Sequence, residues 1–451
     1  MHGNNASADN ASLRNPTFHA TTMPSQHLEL SAIANLFTPS IAQLSAPSGS
    51  LIWLIWFGYG LVFLIALLIL FFVLFEWQYL SRQGNLLEVS NINWQIDEYK
   101  PKFYQLRGEY AATNYTKNLD VFLIEARAEV TLMSKDNLAE VKQDVVIRSR
   151  HEGVESRNDG YWEAYIVKAG YTTAFDILIN LEGRNLRTLD CAWVRLHYVI
   201  YGPEGRLQRV DHSFVPLKFP DANEPERWHP TQSADVMAVR THLLSPLDTP
   251  VEVIRRYVLD HAQPGDIVTI GETPLAIMQN RLRHPSDVRP GALAKRLCYY
   301  FLPTSSLATA CGLQVLVDEV GAWRVAFAFV LGAIARILLR IRGGFYMLAG
   351  KQAKLIDDVT GTLPPYDQFI VMGPDDPQAI VNEILEETGL EAAIVDVNDL
   401  RAVAILAATP GVSQELLNQA LLHNPAGNAA EQTPVVLIRP NYDYGSGELN
   451  E

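Results

Sequence analysis

The sequence predicts an α+β multidomain fold: one N-terminal transmembrane helix, an antiparallel β-sandwich and a C-terminal α/β domain. Three patterns support this prediction: an uncharged apolar run at residues 51–75, a two-residue alternation over residues 91–220, and alternating helix and strand patterns over residues 246–440. At 451 residues the chain exceeds one ordinary hydrophobic core, so several folded units are expected.

The apolar run LIWLIWFGYGLVFLIALLILFFVLF, residues 51–75, contains no charged side chain. At 1.5 Å per residue, a helix of this length crosses the roughly 30 Å hydrocarbon layer of a bilayer. The preceding stretch lacks a basic region and the following one lacks a small-residue cleavage site, which favours a retained anchor over a cleaved signal peptide. We therefore predict a transmembrane helix over residues 49–80, with the lipid bilayer as its partner.

Basic residues around this helix predict its orientation. Arg14 is the only Lys or Arg before the run, whereas Arg82, Lys100 and Lys102 follow it. Because cytoplasmic flanks carry the excess of basic residues, we predict a single-pass protein with its N-terminus outside and its C-terminal domains in the cytoplasm. Residues 1–48, rich in Asn, Ser, Thr, Ala and Pro, are predicted to be a disordered tail, and residues 441–451 a second tail.

The alternating region is typical of half-buried antiparallel strands. IEARAEVTL and AFDILINLEG alternate apolar and polar side chains, and the runs LDCAWVRLHYVIY and RLQRVDHSFVPLKF flank the turn GPEG as a hairpin would. About seven such strands predict an immunoglobulin-like β-sandwich over residues 91–220. Residues 221–245, which carry several prolines, are predicted to be a linker that enters the next domain with a strand at VMAVRTHLL.

The C-terminal region alternates helix and strand signals. A helix with an apolar face begins near Pro250, and IVTIG follows a Gly265-Asp266 turn as a short buried strand. AAIVDVN is predicted to be a strand followed by a helix over LRAVAILAA, and PVVLIRP a further buried strand. GPDDPQ is read as a turn followed by a helix start. These patterns predict an α/β domain over residues 246–440.

The balance of charge excludes one class of function. The chain carries 36 Lys and Arg against 50 Asp and Glu, a formal net charge of −14. Sequence-independent binding to nucleic acid requires clustered basic residues, so we expect no nucleic-acid partner. The sequence also lacks a GxxxxGK[ST] motif and a dinucleotide fingerprint, which excludes an ordinary P-loop nucleotide site.

The order of segments in the C-terminal region resembles a known family. A helix, QPGDIVTIGETPLAIMQNR, a later IVDVND strand and a terminal TPVVLIRP together resemble the coenzyme F-420 (deazaflavin) γ-glutamyl ligases, over about residues 236–440. The membrane-anchored branch of photosynthetic bacteria is particularly similar. The resemblance implies GTP- and divalent-metal-dependent amide ligation, in which a small-molecule carboxylate is phosphorylated and the amine of glutamate attacks the acyl phosphate.

Two departures from the family leave a second reading open. GETPLAIMQNR has no lysine where well-studied members carry lysine and serine, and IVDVND continues into LRAVAILAA in place of an arginine-containing stretch. The alternative is therefore a catalytically inactive, ligase-derived binding module that scaffolds a membrane complex. A third reading, a metal-dependent hydrolase, depends on the acidic residues alone.

The acidic loop LIDDVTGTLPPYDQF, residues 355–369, carries the candidate site. Hard carboxylate oxygens bind Mg²⁺ or Mn²⁺, and we predict that Asp357, Asp358 and Asp396 bind one or two such cations. For phosphate or nucleotide contacts, the candidates are Lys351, Lys354, Thr360 and Gly361. Additional candidates are Asp367, Asn398, Asp399 and Glu431. In the competing interpretation these acids occupy a helix C-terminal turn and a helix N-cap and stabilise helix dipoles.

A second membrane contact is predicted over residues 323–342. The segment WRVAFAFVLGAIARILLRIR has an uncharged core of about 11 residues between Arg324 and Arg336, which is too short to span a bilayer. Arg336 and Arg340 stand four residues apart, so a helix here would place basic side chains near lipid headgroups. A buried core helix that ends in an arginine-rich turn is the alternative.

Overall fold

A computed structural model describes the chain in two compact units, Met1–Arg82 and Gln83–Glu451. The residues that the structure describes are 49–81, 84–153, 157, 159–221, 225–340, 343–357, 363–398, 402–427 and 431–441. The predicted tail at residues 1–48 and the end of the chain after residue 441 lie outside them.

The first unit contains one long helix, α1 (Gly49–Leu80), of 32 residues. Its side chains are apolar on every face, because nearly every residue from Ile52 to Phe75 is aliphatic, aromatic or glycine. A helix of this length measures roughly 48 Å, more than the hydrocarbon thickness of a bilayer. It is long and apolar enough to cross a membrane, and the crossing and its direction stay predictions.

The second unit begins with a β-sandwich of two four-stranded antiparallel sheets. One sheet has the spatial order β1 (Leu87–Lys100), β2 (Phe103–Asn114), β6 (Thr172–Glu182), β4 (Lys142–Arg150). The other has the order β5 (Tyr165–Val167), β3 (Val121–Ser134), β7 (Leu189–Gly202), β8 (Gly205–Pro216). The predicted hairpin is present, with Gly202 paired to Gly205 across the turn.

The sandwich core follows from the two-residue period of its strands. Along β2 every second side chain is buried, because successive side chains of a strand point to opposite faces. Tyr110 is fully buried there, and its hydroxyl lies 2.8 Å from Oγ of Ser213 on the facing sheet. The buried hydroxyl of Tyr110 is therefore paired, as most buried polar groups are.

The C-terminal domain contains a mixed six-stranded sheet. Its spatial order is β15 (Ala402–Ala408), β14 (Glu391–Asn398), β11 (Ile267–Gly271), β16 (Val435–Pro440), β10 (Ala234–Val239), β9 (Trp228–Pro230). Strands β11 and β14 are parallel and the other neighbours are antiparallel. A small second sheet pairs β12 (Leu282–Arg283) with β13 (Ile370–Val371).

Nine helices of the described part of this domain flank the sheets. They are α2 (Pro250–Tyr257), α3 (Glu272–Met278), α4 (Ala292–Leu297), α5 (Ala310–Val320), α6 (Ala322–Leu338), α7 (Gly344–Ala349), α8 (Gln352–Leu355), α9 (Pro377–Thr388) and α10 (Gln414–Leu421). The predicted helix start in GPDDPQ is present, since α9 begins at Pro377 and the backbone N–H of Ala379 donates to the side chain of Asp376. The core between α2, α9 and the sheet is formed by aliphatic side chains of both layers.

Two segments differ from the sequence-based prediction. LRAVAILAA was predicted to be a helix, but Ala402–Ala408 forms strand β15, antiparallel to β14. Its alanines favour a helix locally, and pairing with the exposed edge of β14 overrides that preference. The predicted linker at 221–245 contributes β9 and β10 to the sheet, so the domain begins earlier in the chain than residue 246.

The sandwich and the C-terminal domain meet in an aromatic cluster within the second unit. Trp193 and Phe214 of the sandwich pack against Tyr366 and Phe369, which lie at the end of the acidic loop. All four rings are at most 5% exposed. The sandwich therefore supports the segment that carries part of the candidate site.

Candidate functional site

A cavity of about 320 Å³ opens at one edge of the six-stranded sheet. It lies at the carboxyl ends of the parallel strands β11 and β14, where α/β sheets commonly bind ligands. Glu272 and Asp396 both line it. Because Gly271 is paired with Val395, the next residues along the two strands, Glu272 and Asp396, become neighbours.

Asp357 joins these two acids from a different direction. Its backbone pairs with Val371, donating at 2.8 Å and accepting at 2.9 Å, and this bridge extends the small sheet of β12 and β13. The charge of Asp357 acts on Glu272, and the charge of Asp396 acts on both Glu272 and Asp357. Three carboxyl groups from distant parts of the chain therefore converge. We call Glu272, Asp357 and Asp396 the acidic triad.

The acidic triad has strongly perturbed titration. The pKa of Glu272 is raised to about 8, first by burial and then by the negative charges of Asp396 and Asp357. Burial raises the pKa of Asp357, with a further contribution from Asp396, and burial also raises the pKa of Asp396. Both aspartates are partly exposed to solvent. Asp396 lines the cavity, whereas Asp357 reaches the other two acids from outside the cavity lining. At neutral pH Glu272 therefore retains its proton.

The cavity offers no compensating positive charge from the described residues that line it. None of them is Lys or Arg. His242 lines the cavity, but its Nε2 lies 2.9 Å from Oδ1 of Asp248 and its Nδ1 lies 2.6 Å from the hydroxyl of Tyr257. Both ring nitrogens are occupied and the ring is buried. We therefore interpret His242 as a structural brace of the cavity wall, and the acidic triad as a group that favours added cations.

The opposite wall of the cavity is polar without being charged. Thr433 donates its hydroxyl to the carbonyl oxygen of Ala426 at 2.6 Å, and Asn424 donates its amide to that of Gly427 at 3.1 Å. These contacts fix the turn 424–427 before β16, and Gln432 lies beside it. Apolar side chains complete the cavity, among them Leu243, Leu244, Ile277, Leu363 and the ring of Tyr366.

Two of the predicted metal ligands, Asp357 and Asp396, lie within electrostatic range of each other, and their binding of a metal stays a prediction. Glu272 was not among the candidates predicted from the sequence. The sequence feature that could have indicated Glu272 is its position directly after the buried strand IVTIG. Residues that follow parallel strands lie at the same edge of the sheet, so Glu272 could have been expected near Asp396. Asp358, Thr360, Gly361 and Asp399 lie outside the described residues. Asn398 ends β14, and its side chain also lies outside them.

The remaining described candidates lie outside the cavity lining. Lys351 and Lys354 are exposed at helix α8 and do not line the cavity. Asp367 is half-buried in a turn, and its Oδ1 has no hydrogen-bond partner. Glu431 is exposed, and its side chain lies beside Gly427, which lines the cavity. Contacts of these four residues with a phosphate or a metal stay predictions.

A second cluster of potential metal ligands lies where the sandwich meets the C-terminal domain. His212, His284 and Asp287 place one ligand atom each within 4.8 Å of one another. However, Nδ1 of His212 accepts from the indole N–H of Trp193 at 3.2 Å, and Nδ1 of His284 accepts from the backbone N–H of Ser286 at 3.3 Å. Each neutral ring therefore carries its proton on Nε2, where a metal would require a lone pair. We interpret this cluster as a hydrogen-bond network between the two domains.

Comparison with known proteins gives one family match. Residues 88–219 match the F420-0:gamma-glutamyl ligase, N-terminal Ig-like domain. The match supports a relation of the chain to γ-glutamyl ligases, and it lies on the sandwich. The resemblance inferred from the sequence concerned residues 236–440, which the match does not cover. No curated protein matches the chain.

Several solved structures resemble part of the chain at low similarity. The GGA1_GAE domain of yeast is 8% identical and covers 30% of this chain and 96% of its own, with a TM-score of 0.18. The GAE domain of GGA2p from Saccharomyces cerevisiae is 5% identical, covering 30% and 95%, with a TM-score of 0.19. The ApaA protein from Bordetella pertussis is 13% identical, covering 29% and 93%, with a TM-score of 0.19. At these scores the likenesses carry no argument about function.

Proposed function

We propose that the protein is a membrane-anchored, γ-glutamyl ligase-like enzyme. It uses GTP and Mg²⁺ or Mn²⁺ to form an amide bond between a substrate carboxylate and the amine of glutamate. The anchor is α1, with the N-terminus outside and the folded unit in the cytoplasm. The observation that carries the proposal is the convergence of Glu272, Asp396 and Asp357. The first two line a cavity that has no lysine or arginine among its described lining residues.

The donor set fits a hard divalent cation. Three carboxyl groups within electrostatic range repel one another unless a cation or a proton intervenes, and here the proton is on Glu272. Mg²⁺ and Mn²⁺ prefer carboxylate oxygens, and when bound such an ion neutralises charge on the transferred phosphoryl group. Glu272 must lose its proton to become a ligand, so binding would release a proton to solvent.

The cavity also has a volume suitable for a small-molecule substrate such as the carboxylate or glutamate. A volume of about 320 Å³ is within the range of small-molecule sites. In the proposed reaction a substrate carboxylate oxygen attacks the γ-phosphorus of GTP, giving an acyl phosphate and GDP. The glutamate amine then attacks the acyl carbon, phosphate leaves with the electron pair of the C–O bond, and the amine loses a proton. Asn424, Gln432 and Thr433 provide neutral polar groups that can orient these substrates.

Calorimetry tests the proposal directly. The full chain in detergent is titrated with Mn²⁺ and then with GTP in the presence of Mn²⁺. We expect saturable heat in both titrations, and the double variant Asp357→Asn, Asp396→Asn should lose most of the Mn²⁺ affinity. Asp260→Asn, an exposed acid outside the cavity lining, is the matched control. Unchanged Mn²⁺ affinity in the double variant contradicts the assignment of the ligands.

A ligase-derived scaffold is the second candidate, and a specific observation favours it. The segment GETPLAIMQNR lacks the family's lysine, and none of the described residues that line the cavity supplies another. In the same experiment, this candidate predicts no GTP heat whether or not Mn²⁺ binds. Heat from Mn²⁺ without any from GTP would indicate a metal-binding module without nucleotide chemistry.

A further inference from the structure

Helix α6 belongs to a helical module, residues 290–354, that has its own hydrophobic core. The inward face of α6 is committed to that core, with Val325, Ala328 and Gly332 buried. Gly332 approaches α7 closely, since a Cβ there would lie 2.7 Å from the backbone nitrogen of Phe345. One face of α6 is therefore covered by contacts with the rest of the module.

The opposite face of α6 is also apolar, and it has no cover within the described unit. Trp323 is 89% exposed, Phe327 61% and Ile337 77%. These positions follow helical spacing, so they lie on one side of the helix. Segments that pack near α6 add further exposed large apolar side chains, namely Tyr299, Tyr300, Leu302 and Met347. We call this surface the apolar face. A helix face that meets water is normally polar.

The apolar face is confined to this module. Among the described residues from 228 to 441, the exposed large hydrophobic side chains all lie between Tyr299 and Leu348, with Leu422 as the single exception. Scattered exposed hydrophobics are ordinary, but a concentration of them in one segment marks an interaction surface. Elsewhere in the described part of the C-terminal domain, large hydrophobic side chains other than Leu422 are buried or half-buried.

The charge of the module is opposite to that of the whole chain. From residue 290 to residue 354 the sequence contains eight Lys and Arg and two Asp and Glu, a formal charge of +6, whereas the complete chain carries −14. Among the described basic residues, Lys295, Arg296 and Arg336 are exposed. A module of net positive charge that exposes aromatic and aliphatic side chains has the two properties that favour binding to anionic lipid surfaces.

We propose that the apolar face docks onto an anionic leaflet of the bilayer, with its large side chains at the acyl boundary and its basic residues at the headgroups. The proposal rests on the membrane anchoring in the proposed function and does not require ligase activity. An anchor on the same chain raises the effective concentration of the bilayer, so a modest surface affinity suffices. Docking would hold the helical module, and with it the connected acidic loop, at the membrane surface.

A second crossing of the bilayer is not part of the proposal. Helix α6 has 17 residues, roughly 25 Å, and bends by 112° from α5. Its inward face is buried against α5 and α7, and Arg324 and Arg336 limit its uncharged length. A helix of this kind lies in the interface plane.

The test places a fluorophore on the apolar face of the full chain. Ile337→Cys is labelled with an environment-sensitive dye and inserted, one chain per disc, into nanodiscs of phosphatidylcholine with or without phosphatidylglycerol. Tyr171→Cys, on an exposed position of the sandwich, is the matched control. The unsubstituted chain checks labelling of its own thiols, of which Cys191 and Cys298 are buried.

We expect the dye at position 337 to shift to shorter wavelength and to be quenched by lipid-borne quenchers. Its access to a water-soluble quencher should fall several-fold, more so with phosphatidylglycerol, while position 171 stays in water. Equal behaviour of the two positions overturns the proposal. A shift that requires two chains per disc overturns it in favour of self-association.

Failure of the anchor is distinguishable from failure of docking. If the chain does not enter discs, the same labelled protein is floated with vesicles of the same lipids, and lipid quenching at position 337 is measured there. Its absence rejects docking independently of α1. Failure of Mn²⁺ or GTP binding in calorimetry leaves this result unaffected.

Discussion

The hydroxyl of Tyr366 donates a hydrogen bond of 2.6 Å to the carbonyl oxygen of Leu244, and both residues line the cavity. The contact joins the end of the acidic loop to the segment that leads from β10 into α2. Tyr366 is buried, so this hydroxyl has no access to water. The bond therefore fixes one wall of the cavity relative to the other.

Tyr366→Phe should destabilise the fold. It leaves the carbonyl of Leu244 buried without its partner, at a cost of about 1–2 kcal/mol. Denaturant unfolding of the full chain in detergent measures the change, with Tyr161→Phe, at an exposed position, as the control. Equal stability of the two variants would show that another group satisfies this carbonyl.

Glu272→Gln should change how stability depends on pH. The pKa of Glu272 in the fold is about 8, above its ordinary value of 4.5, so its contribution is complete below about 4.5 and is lost as pH rises through about 8. The metal-free wild type should therefore lose melting temperature across this window, and Glu272→Gln should lose less. Thermal melts over that pH range compare the two, with Asp260→Gln as the control. Parallel pH profiles of wild type and Glu272→Gln would contradict the raised pKa.

Binding of Mn²⁺ should release about one proton at neutral pH. Glu272 holds a proton there and must lose it to coordinate the cation. Calorimetry in buffers of different ionisation enthalpy gives the number of protons released. Glu272→Gln binds without this release, and an identical buffer dependence in the variant would place the titrating group elsewhere.

The pair His212 and Asp287 should contribute to the contact between sandwich and C-terminal domain. Burial opposes ionisation of Asp287, but the hydrogen bond from His212 outweighs it and the pKa of Asp287 is lowered. A carboxyl group whose pKa is lowered in the fold stabilises the protein at pH values above its ordinary pKa. This contribution to stability is lost as the pH falls through the pKa of the folded state. A double-mutant cycle with His212→Asn and Asp287→Asn should give a small coupling, below about 1 kcal/mol because the pair is partly exposed. The coupling should vanish in acid.

The orientation proposed for α1, with the N-terminus outside, predicts protection of the folded unit in intact cells. A cysteine at position 171 should react with an impermeant thiol reagent only after the cells are opened. A cysteine in the N-terminal tail, for example Ser12→Cys, should react from outside. Reversed labelling of the two positions would reverse the orientation.

The sequence predicted those features whose signal is local. The hairpin of β7 and β8 follows from alternation on both sides of GPEG, and the apolar helix α1 follows from its composition. Asp357 and Asp396 were chosen as candidate ligands because carboxylates suit Mg²⁺ or Mn²⁺, and their metal binding stays a prediction. The membrane contact predicted over residues 323–342 also stays a prediction, and the described part of that segment exposes large apolar side chains on α6.

Features that depend on distant pairing could not be predicted from one sequence. Glu272 becomes a neighbour of Asp396 only because Gly271 pairs with Val395 in the parallel register, and these paired residues are more than a hundred positions apart in the chain. Strand β15 was predicted to be a helix because the alanines of LRAVAILAA favour one, and only the open edge of β14 explains the strand. The His212–Asp287 contact joins two domains whose docking no local pattern describes.

The aromatic cluster of Trp193, Phe214, Tyr366 and Phe369 limits how this architecture can be divided. Cutting the chain between sandwich and sheet would leave two of these four rings facing solvent beside the acidic loop. A stand-alone version of the C-terminal domain would therefore need polar replacements at positions 366 and 369. A chimera with a foreign sandwich would instead have to supply matching rings.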